Sequence, residues 1–349
     1  MTALSILFVT PSLRRSGPSR QMLYLASGMR ERGHRVLVRS LSTEGADSII
    51  DHYRAADIDV DELHLPRLFS TGRAIAKIDD VCRQEKIDII HSHGLRADRV
   101  AQRVHCKAIH VATLRNQPYD DYPAKFGRLI GMVMARLHAN FIKRADHPVA
   151  CSHSLAAALK NIRPSIPVIT NGVDCDYFFP IIIDDEYEQK VRRRLNINSS
   201  HPIIVSIGSL ISRKRPDLLL SLYLNSELSK THTLVFAGSG VLIDELKASA
   251  AQSSRVCFLD EIDDVREILN IASVFVSVSK SEGLPNSVME ALAVGVPTIL
   301  SDIPPHRELH VDQWNAGIVL EKMRPSDLAN AVTRIEYVEH RNVCNNARV

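Results

Sequence analysis

Two glutamates eight positions apart stand in the segment Ser281-Glu282-Gly283-Leu284-Pro285-Asn286-Ser287-Val288-Met289-Glu290-Ala291-Leu292-Ala293. Carboxylates are strong acceptors for sugar and ribose hydroxyls. The segment follows an apolar strand-like run, so Glu282 falls where that strand ends. Gly283 and Pro285 shape a tight turn, Asn286 or Ser287 can cap, and a helix is expected from there to about Val294. The N–H groups at such a helix start suit a diphosphate. For either glutamate alone the alternative is a solvated acid at a helix start, favourable against the dipole. His91 and His93 alternate at another strand end, where the plain reading is one buried ring and one surface ring. A metal reading has no third ligand spaced nearby. Gly238-Ser-Gly240 has Ile243 where a dinucleotide fingerprint needs its third glycine, and no Gly-Lys-Ser/Thr phosphate loop is present.

The elements that must position these residues follow from periodicity. Short apolar runs alternate with longer stretches of helical period, the pattern of parallel sheets covered on both faces. Strands are expected at Ser5–Thr10, Arg35–Ser40, Ile87–His91, Ile109–Leu114, His147–Cys151 and Val168–Thr170, with a first helix over about 19–32 after a Ser16-Gly17-Pro18-Ser19 loop. The pattern restarts after Asn171-Gly172-Val173-Asp174. An irregular polar stretch, Ile183–Lys190, precedes strands at Ile203–Gly208, Thr233–Ala237, Val256–Leu259, Val274–Val278, Thr298–Leu300 and Gly317–Val319. Their helices fall near 215–227, 241–252, 264–271, 286–294 and 326–338. The expected fold is α/β, two tandem Rossmann-like domains (1–175 and 176–349) facing across a ligand cleft.

A length of 349 residues fits two domains, and 45% hydrophobic with 24% charged residues is the composition of a globular chain. Disorder, collagen-like repeats and coiled coil are excluded. No apolar run is long enough to span a bilayer, and the start lacks a secretory leader. Cysteines 82, 106, 151, 175, 257 and 344 show no CxxC spacing, which argues against disulfides and zinc and for a reducing cytoplasm. Residues 1–178 hold 25 Lys and Arg against 18 Asp and Glu, whereas the remainder holds 18 against 22. A basic half suggests an anionic contact: phosphate, lipid or nucleic acid.

The double-glutamate phrase with its Gly-Leu-Pro resembles the hallmark of retaining nucleotide-sugar glycosyltransferases of the two-Rossmann (GT-B) architecture, particularly glycosyltransferase family 4. Further segments resemble that family in order along nearly the whole chain: Asp88-Ile-Ile-His-Ser-His93, Thr170-Asn-Gly-Val-Asp174, Ile207-Gly-Ser-Leu-Ile-Ser-Arg-Lys214, Phe236-Ala-Gly-Ser-Gly240 and Ala293-Val-Gly-Val-Pro297. The resemblance implies that Glu290 holds the donor ribose, Glu282 contacts the transferred sugar, and Lys214 neutralises the diphosphate. It implies backbone contacts to sugar and phosphate from Gly283, Leu284, Asn286 and Ser287, a base contact at Ile262, close approach at Gly17, and a sugar hydroxyl bonded by His93. Arg115 and Asn171 are candidate acceptor contacts. Two departures stand out. Ser209 replaces the family's usual arginine, so that phosphate contact is missing or comes from Arg213 or Arg215, and the first loop has one glycine rather than two.

The implied function is transfer of a sugar from a UDP- or GDP-sugar to a sugar or lipid-linked acceptor, with retention, no cofactor or metal and no nucleic acid. Cell-surface polysaccharide or lipopolysaccharide assembly is the implied setting. An evident carboxylate nucleophile is lacking, which favours front-face departure with Lys214 and the helix start as electrostatic support. The alternatives are a non-hydrolysing sugar-nucleotide epimerase and an inactive nucleotide-sugar-binding protein of this fold. Asp57-x-Asp59-x-Asp61 resembles the metal motif of the other glycosyltransferase fold and reads here as a solvent face. Tyr122–Arg144 has five basic residues, no acid and apolar residues at helical spacing. It reads as a core-facing helix with a basic rim, or as a surface helix meeting anionic headgroups, which would place the enzyme on the inner membrane face. Relatives usually continue past the segment matching Asn345–Val349 with a helix crossing back onto the first domain, so the chain reads as shortened there.

Overall fold

A computed structural model describes residues 3–67, 69–262 and 264–336. The expected helix end at 337–338, Cys344 and the segment 345–349 lie outside the described residues. The chain divides into two compact units, Met1–Gly172 and Val173–Val349.

The first unit carries β1 (Ser5–Thr10), β2 (Arg35–Ser40), β3 (Asp59–Glu62), β4 (Ile89–His93), β5 (Ile109–Leu114) and β6 (His147–Ala150). They form one parallel sheet in the order β3-β2-β1-β4-β5-β6. The run Ile6–Thr10 is buried throughout, because helices cover both sheet faces and each strand must be apolar on both sides. One core layer gathers Leu7, Leu37, Ile78 and Ile90, the other Phe8, Val38, Met22 and Tyr53. Edge strand β3 is the exception. Asp59 there ion-pairs with Arg39 at 2.8 Å, and Asp57 with Arg30. Asp57 and Asp59 of the alternation thus have arginine partners, and exposed Asp61 adds charge to the edge, which blunts strand addition.

The second unit repeats the plan with β7 (Ile203–Ile207), β8 (Thr233–Ala237), β9 (Val256–Leu259), β10 (Val274–Ser277), β11 (Thr298–Ser301) and β12 (Gly317–Leu320). The sheet order is β12-β11-β10-β7-β8-β9. Counted within each unit, both sheets follow the doubly wound Rossmann order, with strand direction of winding reversing at β1/β4 and β7/β10. Loops leaving the carboxyl ends of those strands are where such sheets bind ligands.

Three expectations are corrected. Ile183–Lys190 is not irregular: Asp185–Arg194 is a helix, capped by Asp184 Oδ1 accepting from Tyr187 N at 2.7 Å. Its first turn is acidic and its last turn is Arg192-Arg193-Arg194, which complements the helix dipole although the segment has few apolar residues. Val168–Thr170 forms only a single bridge, Ala150 to Val168. Tyr122–Arg144 is not one helix. Pro118–Phe126 and Arg128–Arg144 are separated at Gly127, whose φ of +77° suits glycine. The two helices pack so closely that a Cβ on Gly131 would lie 2.4 Å from the Pro123 backbone.

The second of these helices also faces the other way from the core-facing expectation. Its buried residues are Gly131, Ala135, His138, Ala139 and Ile142. Leu129, Ile130, Met132, Val133 and Leu137 are exposed, as is Phe126 on the helix before it. Small residues and a hydrogen-bonded histidine take the inner face: His138 Nε2 meets Asp98 Oδ2, and Nδ1 meets the Tyr122 hydroxyl, both at 3.0 Å. Asp98 in turn accepts from Ser92 Oγ at 2.6 Å. The large apolar side chains are left outside.

Candidate functional site

In the second unit the loop after β7 runs from Gly208 through Arg215 to the helix Pro216–Leu224. Two glycines of the neighbouring β8 loop hold it. A Cβ on Gly238 would lie 2.3 Å from the Gly208 carbonyl oxygen, and one on Gly240 2.3 Å from that of Leu210. Backbone bonds Gly208 N to Ala237 O (2.9 Å) and Leu210 N to Ser239 O (2.8 Å) fix the pairing. Gly238-Ser-Gly240 thus serves close backbone approach.

That loop delivers Arg213 and Lys214 to Glu282, which comes from the loop after β10. Arg213 Nη1 donates to Glu282 Oε2 at 2.9 Å and to Ser281 O at 2.5 Å, and Lys214 Nζ lies 2.5 Å from Glu282 Oε1. Lys280 N donates to Arg213 O at 2.8 Å, stitching the two loops together. The Glu282 side chain is 7% exposed. Burial alone would raise its pKa, but the charges of Lys214 and Arg213, with hydrogen bonds from Lys214 and Ser279, bring it down to about 2. The cluster is one buried carboxylate between two partly exposed cations, with a surplus of one positive charge.

Near Glu282 lies His306, buried in the short helix Pro304–Arg307 that follows β11. Its Nδ1 donates to Ser301 O at 2.8 Å, and its ring approaches Ser277 and Ser301 hydroxyls. Burial lowers its pKa to about 4, so the ring is neutral near pH 7. Sequence reasoning passed over His306, which no spacing links to Glu282, and over Ser279, a serine close to Glu282 whose type alone marks no role.

The helix Asn286–Ala293 begins at Pro285, which makes no side-chain cap bond; neither Asn286 nor Ser287 is the cap, both lying inside the helix. Gly283 and Leu284 are buried in the preceding turn, and Glu290 is 6% exposed in the helix, which is also buried at Val288 and Ala291. Ser209 is exposed at the start of the β7 loop, and Ile262 packs on the core just after β9.

In the first unit, His93 ends β4 and Arg115 follows β5. Arg115 Nη1 donates to Asn171 Oδ1 at 2.8 Å, and its Nη2 reaches His93 Nδ1 at 3.5 Å. His93, Arg115 and Asn171 therefore meet. His93 is 6% exposed, so it is not a surface ring, and burial first, then His91 and Arg115, hold its pKa well below the usual imidazole value. His91 is also buried and bonds Thr113 Oγ1 through Nε2 at 2.7 Å. Gly17 lies in the first turn of the helix Gly17–Glu31, capped by Ser16, and not in the expected loop; its φ is not positive. Gln21 of that helix, which sequence reasoning did not single out, exchanges two hydrogen bonds with the Gly172 backbone at the unit's end. Among the described residues no group of three His, Cys, Asp or Glu is placed to hold a metal ion.

Residues 188–348 match the family of glycosyl transferases group 1, and residues 15–177 match glycosyltransferase family 4. The chain belongs to the family 4 glycosyltransferases of the GT-B architecture. It is 27% identical over 338 residues to the O-antigen biosynthesis glycosyltransferase WclY of Escherichia coli, covering 90% of this chain and 88% of that one. It is 24% identical over 283 residues to the E. coli UDP-Gal:alpha-D-GlcNAc-diphosphoundecaprenol alpha-1,3-galactosyltransferase, covering 77% and 71%. Among solved structures, Anabaena HepE in complex with UDP-glucose superposes with a TM-score of 0.81 at 19% identity, over 99% of this chain and 93% of that one. WaaG, a glycosyltransferase involved in lipopolysaccharide biosynthesis, gives 0.76 at 16% identity, over 99% and 95%.

Proposed function

We propose that this glycosyltransferase moves a sugar from a nucleoside-diphosphate donor to a lipid-linked acceptor during assembly of a cell-surface polysaccharide, with retention and without a metal. The observation that carries the reading is Glu282 held ionised between Arg213 and Lys214 at the β7/β10 switch point. A diphosphate seated there meets two cations already fixed in place, the condition under which electrostatics lower a barrier most. Glu290 takes the ribose hydroxyls, and the turn Gly283–Ser287 takes sugar and phosphate. Relatives named for O-antigen synthesis and for a diphosphoundecaprenol acceptor support the setting, and neighbours holding UDP or UDP-glucose favour uridine over guanosine.

The reaction breaks the bond from the anomeric carbon to the phosphate oxygen and forms a bond to the acceptor oxygen on the same face. The acceptor's proton passes to the departing phosphate. A carboxylate with a pKa of about 2 is a weak base, and Glu282's lone pairs are engaged by two cations. It is thus suited to orient cations and sugar rather than to attack carbon or deprotonate the acceptor. Incubation of the full chain with UDP-sugars and a lipid-diphosphate-linked sugar tests this. Sugar transfer with the α-configured donor giving an α-linked product is expected. Donor epimerised without acceptor would make it an epimerase, and binding without turnover an inactive homologue.

The lipid acceptor gives the exposed apolar face of Arg128–Arg144 a partner. Lys125, Arg128, Arg136, Lys143 and Arg144 are exposed beside Leu129, Ile130, Val133 and Leu137. Apolar residues to enter the headgroup layer and cations to meet anionic lipid make this the membrane-facing surface.

A further inference from the structure

The His93–Arg115 pair of the first unit holds two nitrogen atoms that the mechanism above does not use. His93 Nε2 and Arg115 Nε are buried without a hydrogen-bond partner. Their states follow from the pair itself. Arg115 is a donor only, so where its Nη2 meets His93 Nδ1, that nitrogen must accept and carry no proton. A neutral ring then bears its proton on Nε2. Both orphan atoms are therefore N–H donors, and what each lacks is an acceptor.

The charge around them agrees. Among the described residues no carboxylate is ion-paired with Arg115; its partners are the Asn171 side-chain oxygen and a neutral ring. A largely buried guanidinium without a counter-charge is uncommon, and so are buried donors without acceptors. Asn171 holds the Nη1 side of the fork, which leaves the Nε–Nη2 side toward His93. That edge is the one guanidinium uses for bidentate binding of phosphate or carboxylate. The place also fits: His93 ends β4 and Arg115 follows β5, beside the β1/β4 switch point of the first sheet.

We propose that Arg115 and His93 form an oxyanion pocket in the first unit that takes a phosphoryl oxygen of the acceptor. This rests on the acceptor reading above and deepens it: the acceptor is recognised through its phosphate as well as its sugar. A carboxylate on a sugar has related chemistry, so the test separates the two.

The full chain carrying Lys214→Ala, which removes a phosphate-holding cation of the second unit, is titrated with methyl phosphate and followed by phosphorus NMR line broadening. Saturable binding is expected. Adding Arg115→Gln, which can still meet Asn171, is expected to weaken it at least tenfold, and Arg115→Lys to give an intermediate loss. In histidine-15N-labelled protein, the His93 Nε2 resonance, assigned by its absence in His93→Gln, moves on saturation. Equal affinity with and without Arg115→Gln, or an unmoved His93 resonance, would overturn the pocket. Acetate displacing methyl phosphate at equal concentration would overturn the phosphoryl assignment in favour of a sugar carboxylate. Sugar transfer is measured in parallel on the protein with Lys214 intact. Transfer without phosphate binding removes only this pocket, whereas phosphate binding without transfer removes the functional reading.

Discussion

A carboxylate held at a pKa of about 2 by neighbouring cations ties stability to acid in a definite direction. Its ordinary value is 4.5, so the folded state binds the proton more weakly than the unfolded state. The contribution of the ion pairs is complete above about pH 4.5 and is lost as pH falls through about 2. Glu282→Gln should cost about 2 kcal/mol at pH 7, where hydrogen bonds to charged groups disappear. Urea melts should show the deficit shrinking toward pH 2.5, and a pH-independent deficit would remove the charge argument. Lys214→Ala should lower kcat more than it raises KM, because the cation matters most as the diphosphate gains charge. A change in KM alone would demote Lys214 to ground-state binding. Glu290→Ala should weaken nucleoside-diphosphate binding about ten- to a hundredfold by calorimetry, the loss of charge-assisted bonds worth about 1.5–3 kcal/mol. Transfer should survive EDTA, and activity lost on chelation and restored by magnesium or manganese would require a metal.

At the scale of elements, Arg213 and Lys214 are held in place because two loops are braced against each other. The β8 loop presses its glycines on the β7 loop so closely that a methyl group at 240 would meet Leu210 O at 2.3 Å. Gly240→Ala should therefore destabilise the protein by about 1–3 kcal/mol. It should also reduce kcat, since Leu210 and Lys214 share one short loop. A stability loss with unchanged kcat would separate the brace from catalysis. The same elements show where spacing was informative. Glu282 and Lys214 were readable as members of ordered segments, whereas Arg213's double hold on Ser281 and Glu282 joins positions far apart in the chain, which no local pattern encodes.

For the whole molecule, the exposed face of Arg128–Arg144 predicts reversible membrane association. Each basic residue near an anionic surface contributes about 1 kcal/mol. Cosedimentation with anionic but not zwitterionic vesicles is expected, reversed by about 0.5 M salt as screening shortens to a few ångströms. Leu129→Glu with Val133→Glu should abolish it without unfolding the chain, because both side chains are exposed. Equal recovery with both vesicle types, or with neither, would leave the face without a lipid partner.

The sequence by itself determined the strands and their α/β alternation, since a strand covered on both sides must be apolar at every position, as Ile6–Val9 and Leu234–Ala237 are. It also determined the double-glutamate segment, whose residue types and spacing are local. It did not determine which face of Arg128–Arg144 is buried. The same apolar periodicity serves a core or a lipid surface, and the choice fell to Gly131 packing on Pro123 and to the Tyr122–His138–Asp98 hydrogen bonds. Nor did it reveal the polar clusters. Arg213 with Glu282, His93 with Arg115, and His306 with Ser277 are each assembled from the carboxyl ends of neighbouring parallel strands and the loops that leave them. Those ends are neighbours in the sheet although long crossovers separate them in the chain, so only the tertiary structure brings their charges within hydrogen-bonding distance.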